Sequence, residues 1–207
     1  MSQSCLKCGG TGVLISGELC PDCNHTNEKV APIVTGIPMQ YQGIAFDKTF
    51  LPTGVSKEYG EFMEELLSTI VKDIAFYQKN MIICSRPNSG KTIWAYNLYA
   101  ELIKKGHKMP PLLDLTEVNQ ILHSYDDRDL SNVFIHAKCA VVKIPRGAPR
   151  WVFNSIADIV EVRVRNNGFT IFLFGGTVEE LKEMDASNLL KYLRGNGAFN
   201  TLKIEEF

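Results

Sequence analysis

The octapeptide SRPNSGKT, residues 85–92, constrains this chain more than any other stretch of it. It follows an apolar run, MIIC at 81–84, with the composition of a short buried strand. It precedes Ile93 to Lys105, which reads as a helix closed by Gly106. A loop of the form G-x-x-x-x-G-K-[ST] between a strand and a helix is a phosphate-binding loop, whose consecutive backbone N–H groups surround anionic oxygens at the helix opening. Gly90, with no Cβ, lets the backbone close in, Lys91 reaches the β- and γ-phosphates, and Thr92 offers a hydroxyl to Mg²⁺. Pro87, Asn88 and Ser89 complete the cradle. The entry glycine is replaced by Ser85, which costs about 1 kcal/mol if φ there is positive and removes no phosphate donor. A chance SGKT in a loop is the alternative, and the flanking elements count against it. The stretch predicts binding of ATP or ADP with Mg²⁺.

The rest of the chain supplies a fold for such a loop. From Ser56 to about Gln78, Phe62, Leu66, Leu67, Ile70, Val71 and Ile74 recur at three- and four-residue steps, the period of an amphipathic helix. Strands are expected at PLLDL (111–115), CAVVKI (139–144), TIFLFGG (170–176) and TLKIEEF (201–207). Helices are expected at TEVNQILHSY (116–125), WVFNSIADIVEVRVRNNG (151–168), EELKEM (179–184) and LLKYL (189–193). Strands alternating with helices predict an α/β fold, a parallel sheet with flanking helices. Residues 26–55 read as a linker followed by an irregular entry segment, and 56–207 as the P-loop domain.

Residues 1–25 read as a separate module. Of six cysteines, four fall there as two C-x-x-C pairs, Cys5, Cys8, Cys20 and Cys23, among glycines and almost no apolar mass. Zn²⁺ wants four tetrahedral ligands, and one tight turn aims two thiolates of a C-x-x-C at one ion. A redox pair is the competing reading, but no thioredoxin-like context surrounds the pairs. Such a segment has too little to bury and needs a metal or a partner to fold. Cys84 and Cys139 sit in apolar runs and read as small buried hydrophobes.

Hydrolysis asks for more than binding: an acidic residue at the end of a neighbouring strand, to hold the metal and orient water. The strand in that place, CAVVKIPRG, ends in Lys143, Ile144, Pro145 and Arg146. Asp114 and Glu117 lie one strand too early, and Asp158 and Glu161 fall in a helix. No catalytic residue is assigned. Net charge is −1, so any contact with nucleic acid rests on a local patch. No apolar run approaches the ~18 residues of a membrane span, nor is there a charged-then-apolar leader, so a soluble, cytoplasmic chain that does not engage membrane is expected.

In this order the pieces resemble the AAA+ helicase loaders of DnaC/DnaI type and their relatives, the IstB-type transposition ATPases. The carriers are the four-cysteine module, the lead-in IPMQYQGIAFDKTF, the loop with its helix, the strand before PRG, and TIFLFGGTVEEL followed by LLKYLRGNGAF. The resemblance implies an AAA+-like domain that binds a replicative DNA helicase through the zinc module, with assembly into an oligomer on the helicase. It also implies contact with single-stranded DNA, for which Arg146, Arg150 and Trp151 are the candidates; a core position for Trp151 is the alternative. The family's acidic pair is replaced at Ile144 and Pro145, its polar sensor by Gly175 or Gly176, and of its closing arginines only Arg194 survives. Three readings stay open: a loader-like accessory protein holding nucleotide, a DNA-dependent ATPase of the transposition-regulator type, and a non-enzymatic adaptor or inhibitor of a helicase or its loader.

Overall fold

The computed structural model describes residues 37–44, 46–123, 128–184 and 202–207. The chain divides into two units, Met1–Thr35 and Gly36–Phe207, and all described residues belong to the second. The cysteine module therefore lies outside them, as do LLKYL and Arg194.

Five parallel strands form one sheet: β1 (Asn80–Cys84), β2 (Leu113–Asp114), β3 (Cys139–Ile144), β4 (Phe169–Phe174) and β5 (Leu202–Glu206). Their order is β2-β3-β4-β1-β5, so β1 is flanked by β4 and β5. Every residue of β1 and β4 is buried, which is why they read as continuous apolar runs: helices cover both faces of the sheet.

The helices are α1 (Lys57–Lys72), α2 (Lys91–Lys104), α3 (Leu115–His123), α4 (Arg128–His136), α5 (Arg150–Arg165) and α6 (Val178–Glu183). Ser56 caps α1, its hydroxyl accepting from Tyr59 N at 3.1 Å. The buried face of α1, Tyr59, Met63, Leu66 and Ile70, packs toward α2. There the Trp94 indole donates to Met63 O at 2.6 Å. Ile82, Ala140, Val142, Phe172 and Phe174 alternate onto one face of the sheet and share a core with Val118 of α3, Phe134 of α4 and Ile159 of α5.

Three boundaries differ from the sequence expectation. The first helix stops at Lys72, because Asp73 leaves helical geometry at φ −145°. PLLDL shrinks to a two-residue β2, because the Asp114 carboxylate accepts from Thr116 N and Glu117 N, both at 2.9 Å, and so opens α3 at once. α4 was not expected at all. Its sequence, RDLSNVFIH, is mostly polar and its one fully buried apolar side chain is Phe134.

Arg163 explains how so polar a helix is held. It is fully buried on α5. Its guanidinium donates to the carbonyls of Phe134, Ala137 (3.0 Å) and Phe169 (2.8 Å), and to the Thr170 hydroxyl at 2.8 Å. Its carbon lies 5.1 Å from the centre of the Phe134 ring. Carbonyls left unpaired at the end of α4 thus find donors on the next helix.

Candidate functional site

The site begins where β1 ends. Ser85 N donates to Phe174 O at 3.2 Å, prolonging the β1–β4 pairing by one residue, and the chain then turns through 86–90 into α2. Two residues in the turn have left-handed geometry, Asn88 at φ 61° and Gly90 at φ 90°. Gly90 takes this at no steric cost and is the N-cap of α2. Lys91 and Thr92 then fall in the first turn of the helix, with its N–H groups directed at the mouth of the loop.

The Lys91 ammonium lies inside the loop. It donates to Ser85 O (2.9 Å), Ser85 Oγ (2.8 Å), Arg86 O (2.9 Å) and Ser89 Oγ (3.1 Å). Burial pulls its pKa down to about 8, and Arg146 adds to the push. Ser85, the residue in place of the entry glycine, is 2% exposed and its hydroxyl lies 2.9 Å from Ser89 Oγ, which in turn donates to Tyr59 OH at 3.3 Å. Burial raises the pKa of Tyr59. The serine is thus built into a chain of hydroxyls reaching from α1 to the lysine. Arg86 ties the loop outward, donating to Gly54 O at 2.9 Å.

The entry segment folds back over the opening of α2. Asn97 accepts from Phe46 N at 2.9 Å and donates to Ile44 O at 2.6 Å, and Tyr41 stacks on Tyr96 with centroids 4.6 Å apart. A Cβ on Gly90 would stand 3.6 Å from the Phe46 ring. Sequence reasoning missed Tyr59, Phe46 and Asn97 as parts of the site. The aromatic density of the entry segment was the one available signal.

Above the loop lies a cleft of about 270 Å³. Pro87, Asn88, Lys91 and Thr92 line it from the loop, Asp114 from β2, Lys143, Ile144 and Pro145 from β3, and Leu173 and Gly175 from β4. Four of the six loop residues expected from the sequence therefore face one space; Ser89 is buried and Gly90 caps α2. Gly175 is the cleft-facing residue of the glycine pair, with open space where a Cβ would stand, whereas a Cβ on Gly176 would meet Glu180 Oε2 at 2.0 Å and Phe174 at 2.7 Å. Arg146 turns to the surface, its Nη2 donating to both carboxylate oxygens of Glu180 at 2.8 Å. That contact, chiefly, holds the Glu180 carboxyl below its ordinary pKa. Arg150 opens α5 and Trp151 follows it; their side chains lie outside the described residues.

Mg²⁺ on a phosphate loop takes an octahedral set of oxygens, and Thr92 supplies one. The end of β3 supplies an ammonium, an isoleucine and a proline. Asp114 is the cleft's one carboxylate among the described residues. One of its oxygens is engaged by two backbone N–H groups, and it is the register partner of Lys143. These residues do not fit the metal's far side. Among the described residues no group of three His, Cys, Asp or Glu could hold a metal ion.

No family model and no curated protein matches the sequence. Solved structures do match the fold. The DnaC helicase loader superimposes with a TM-score of 0.54 at 18% identity, over 81% of this chain and 99% of that one. DnaI gives 0.55 at 14%, over 82% and 90%. DnaA from Aquifex aeolicus, solved with AMPPCP bound, gives 0.55 at 12%, over 76% of this chain and 51% of that one.

Proposed function

We propose that this chain is a replication accessory protein of helicase-loader type that holds ATP or ADP without turning it over. An AAA+-like sheet, similar to those of a helicase loader and a replication initiator, supports the reading. The observation that carries it is the loop itself: Gly90, Lys91 and Thr92 open a helix at the carboxyl edge of a parallel sheet, beside a cleft large enough for a phosphate chain. The blank end of β3 and the glycine at 175 favour holding over hydrolysis, which separates this reading from an active transposition-type ATPase.

The partner in this proposal is a replicative helicase, engaged through a zinc module on Cys5, Cys8, Cys20 and Cys23. Single-stranded DNA is a weaker second partner, met by Arg150 and Trp151 with Arg146 released from Glu180. An exposed pair of that kind contributes little, so its release costs little. Co-sedimentation of the full chain with the cognate helicase, with and without ADP, tests the reading; no association in either condition overturns the loader role. Elemental analysis of never-chelated protein should find one zinc per chain, and well under one would remove the module from the proposal. The mode of action, assisting or blocking the helicase, follows from whether unwinding rises or falls when the chain is added.

A further inference from the structure

We infer that the cleft takes the phosphate chain of its nucleotide without a divalent cation, the Lys143 ammonium standing where a metal would. The inference rests on the nucleotide-binding reading above and goes beyond it in naming the ligand's form: the metal-free di- or triphosphate.

Four observations carry it. Lys143 and Lys91 line one cleft, from the end of β3 and the start of α2, and Thr92 lines it with them. The residues that follow Lys143 in that wall, Ile144 and Pro145, offer no side-chain oxygen to a metal. The carboxylate of Asp114 is drawn into the cap of α3, where Glu117 returns the contact by accepting from Asp114 N at 2.6 Å. Asp114 is the register partner of Lys143 in the β2–β3 pairing. Arg146, the other cation at the end of β3, pairs with Glu180 at the surface and does not line the cleft, so the lining cations are the two lysines.

The chemistry is a substitution of charge. On a phosphate loop a divalent ion neutralises β- and γ-oxygens and needs oxygen ligands behind it. An ammonium donates three hydrogen bonds, needs no ligands behind it, and repels a dication in the same space. A loop with lysines on both sides of the phosphates therefore binds the chain as a bare polyanion. It also lacks the ion that bridges the phosphates during transfer, so the same residue that permits binding opposes turnover.

The test is calorimetric titration of ADP and ATP into the full chain, in excess EDTA and again in millimolar Mg²⁺. Dissociation constants within about threefold of each other are expected. Lys143→Ala and Lys143→Gln should weaken metal-free binding by tenfold or more, while Lys143→Arg keeps it and Lys143→Asp makes binding depend on Mg²⁺. Thermal melts confirm that each variant is folded; Lys143 is only partly buried, and the Gln and Arg variants carry the comparison if Ala does not fold. Tenfold weaker wild-type binding in EDTA, or unchanged binding in folded Lys143→Ala and Lys143→Gln, overturns the inference and leaves nucleotide binding standing. No binding in either buffer overturns both.

Discussion

At the scale of single residues, Lys91 decides whether the loop works. Its three N–H donors are shared among four oxygens of Ser85, Arg86 and Ser89, so the loop closes on its own lysine and an arriving phosphate exchanges one set of oxygens for a charged one. Lys91→Ala should weaken nucleotide binding tenfold or more, about 1.4 kcal/mol, read by calorimetry. The pH dependence has a defined sign. With a pKa of about 8 in the free fold and 10.5 ordinarily, Lys91 gives up its proton earlier folded than unfolded. Its contribution to stability therefore rises with pH between those values. Nucleotide affinity runs the other way: the neutral amine does not balance phosphate, so binding should weaken as pH climbs past 8 and should take up a proton there. Titrations in buffers of different ionisation heat would show that uptake, and a flat profile would refute it. Arg163 gives the opposite kind of residue, a cation spent on backbone carbonyls inside the fold. Arg163→Met strands carbonyls on Phe134, Ala137 and Phe169, and should cost about 3 kcal/mol in urea unfolding while leaving nucleotide affinity unchanged.

At the scale of elements, what the sequence showed and what it hid have separate physical causes. β1, β3 and β4 were legible because strands covered by helices on both faces are dominated by apolar residues, and the loop was legible because its backbone geometry demands Gly90. α4 carries only a short apolar stripe, Leu130, Val133 and Phe134, and the donor on α5 that closes its end leaves no mark in the sequence. Nor did the strand pattern show that Lys143 would share a cleft with Lys91, because that depends on β3 lying two places from β1. The two glycines after β4 had looked interchangeable as the lost sensor, and only the packing separates them. Gly175→Asn should leave the melting temperature nearly unchanged. Gly176→Asn should lower it by several degrees, because its Cβ meets Glu180, which also closes the capping box of α6 with Thr177.

At the scale of the whole molecule, the proposed role is that of a nucleotide holder. Phosphoryl transfer depends on positioned charge, and losing the β3 acid and the β4 polar group together should remove several powers of ten in rate. ATP turnover by the full chain, with or without single-stranded DNA, should sit at background, read by phosphate release. Robust turnover abolished by Lys91→Ala would mean an acid outside β3 serves, and Asp114 would be the first to test. Pro145→Glu combined with Gly175→Asn should restore at most a little, whereas Ile144→Asp would put a charge at a position 3% exposed and destabilise the fold. The strand order has one more consequence, and it concerns synthesis. β1 pairs on one side with β4 and on the other with β5, which begins at Leu202. A ribosome adding about 5–20 residues per second leaves β1 without its neighbours for on the order of ten seconds. Throughout that interval Met81, Ile82 and Ile83 present a bare apolar edge, so a nascent chain stalled before β5 is the form of this protein most prone to aggregate.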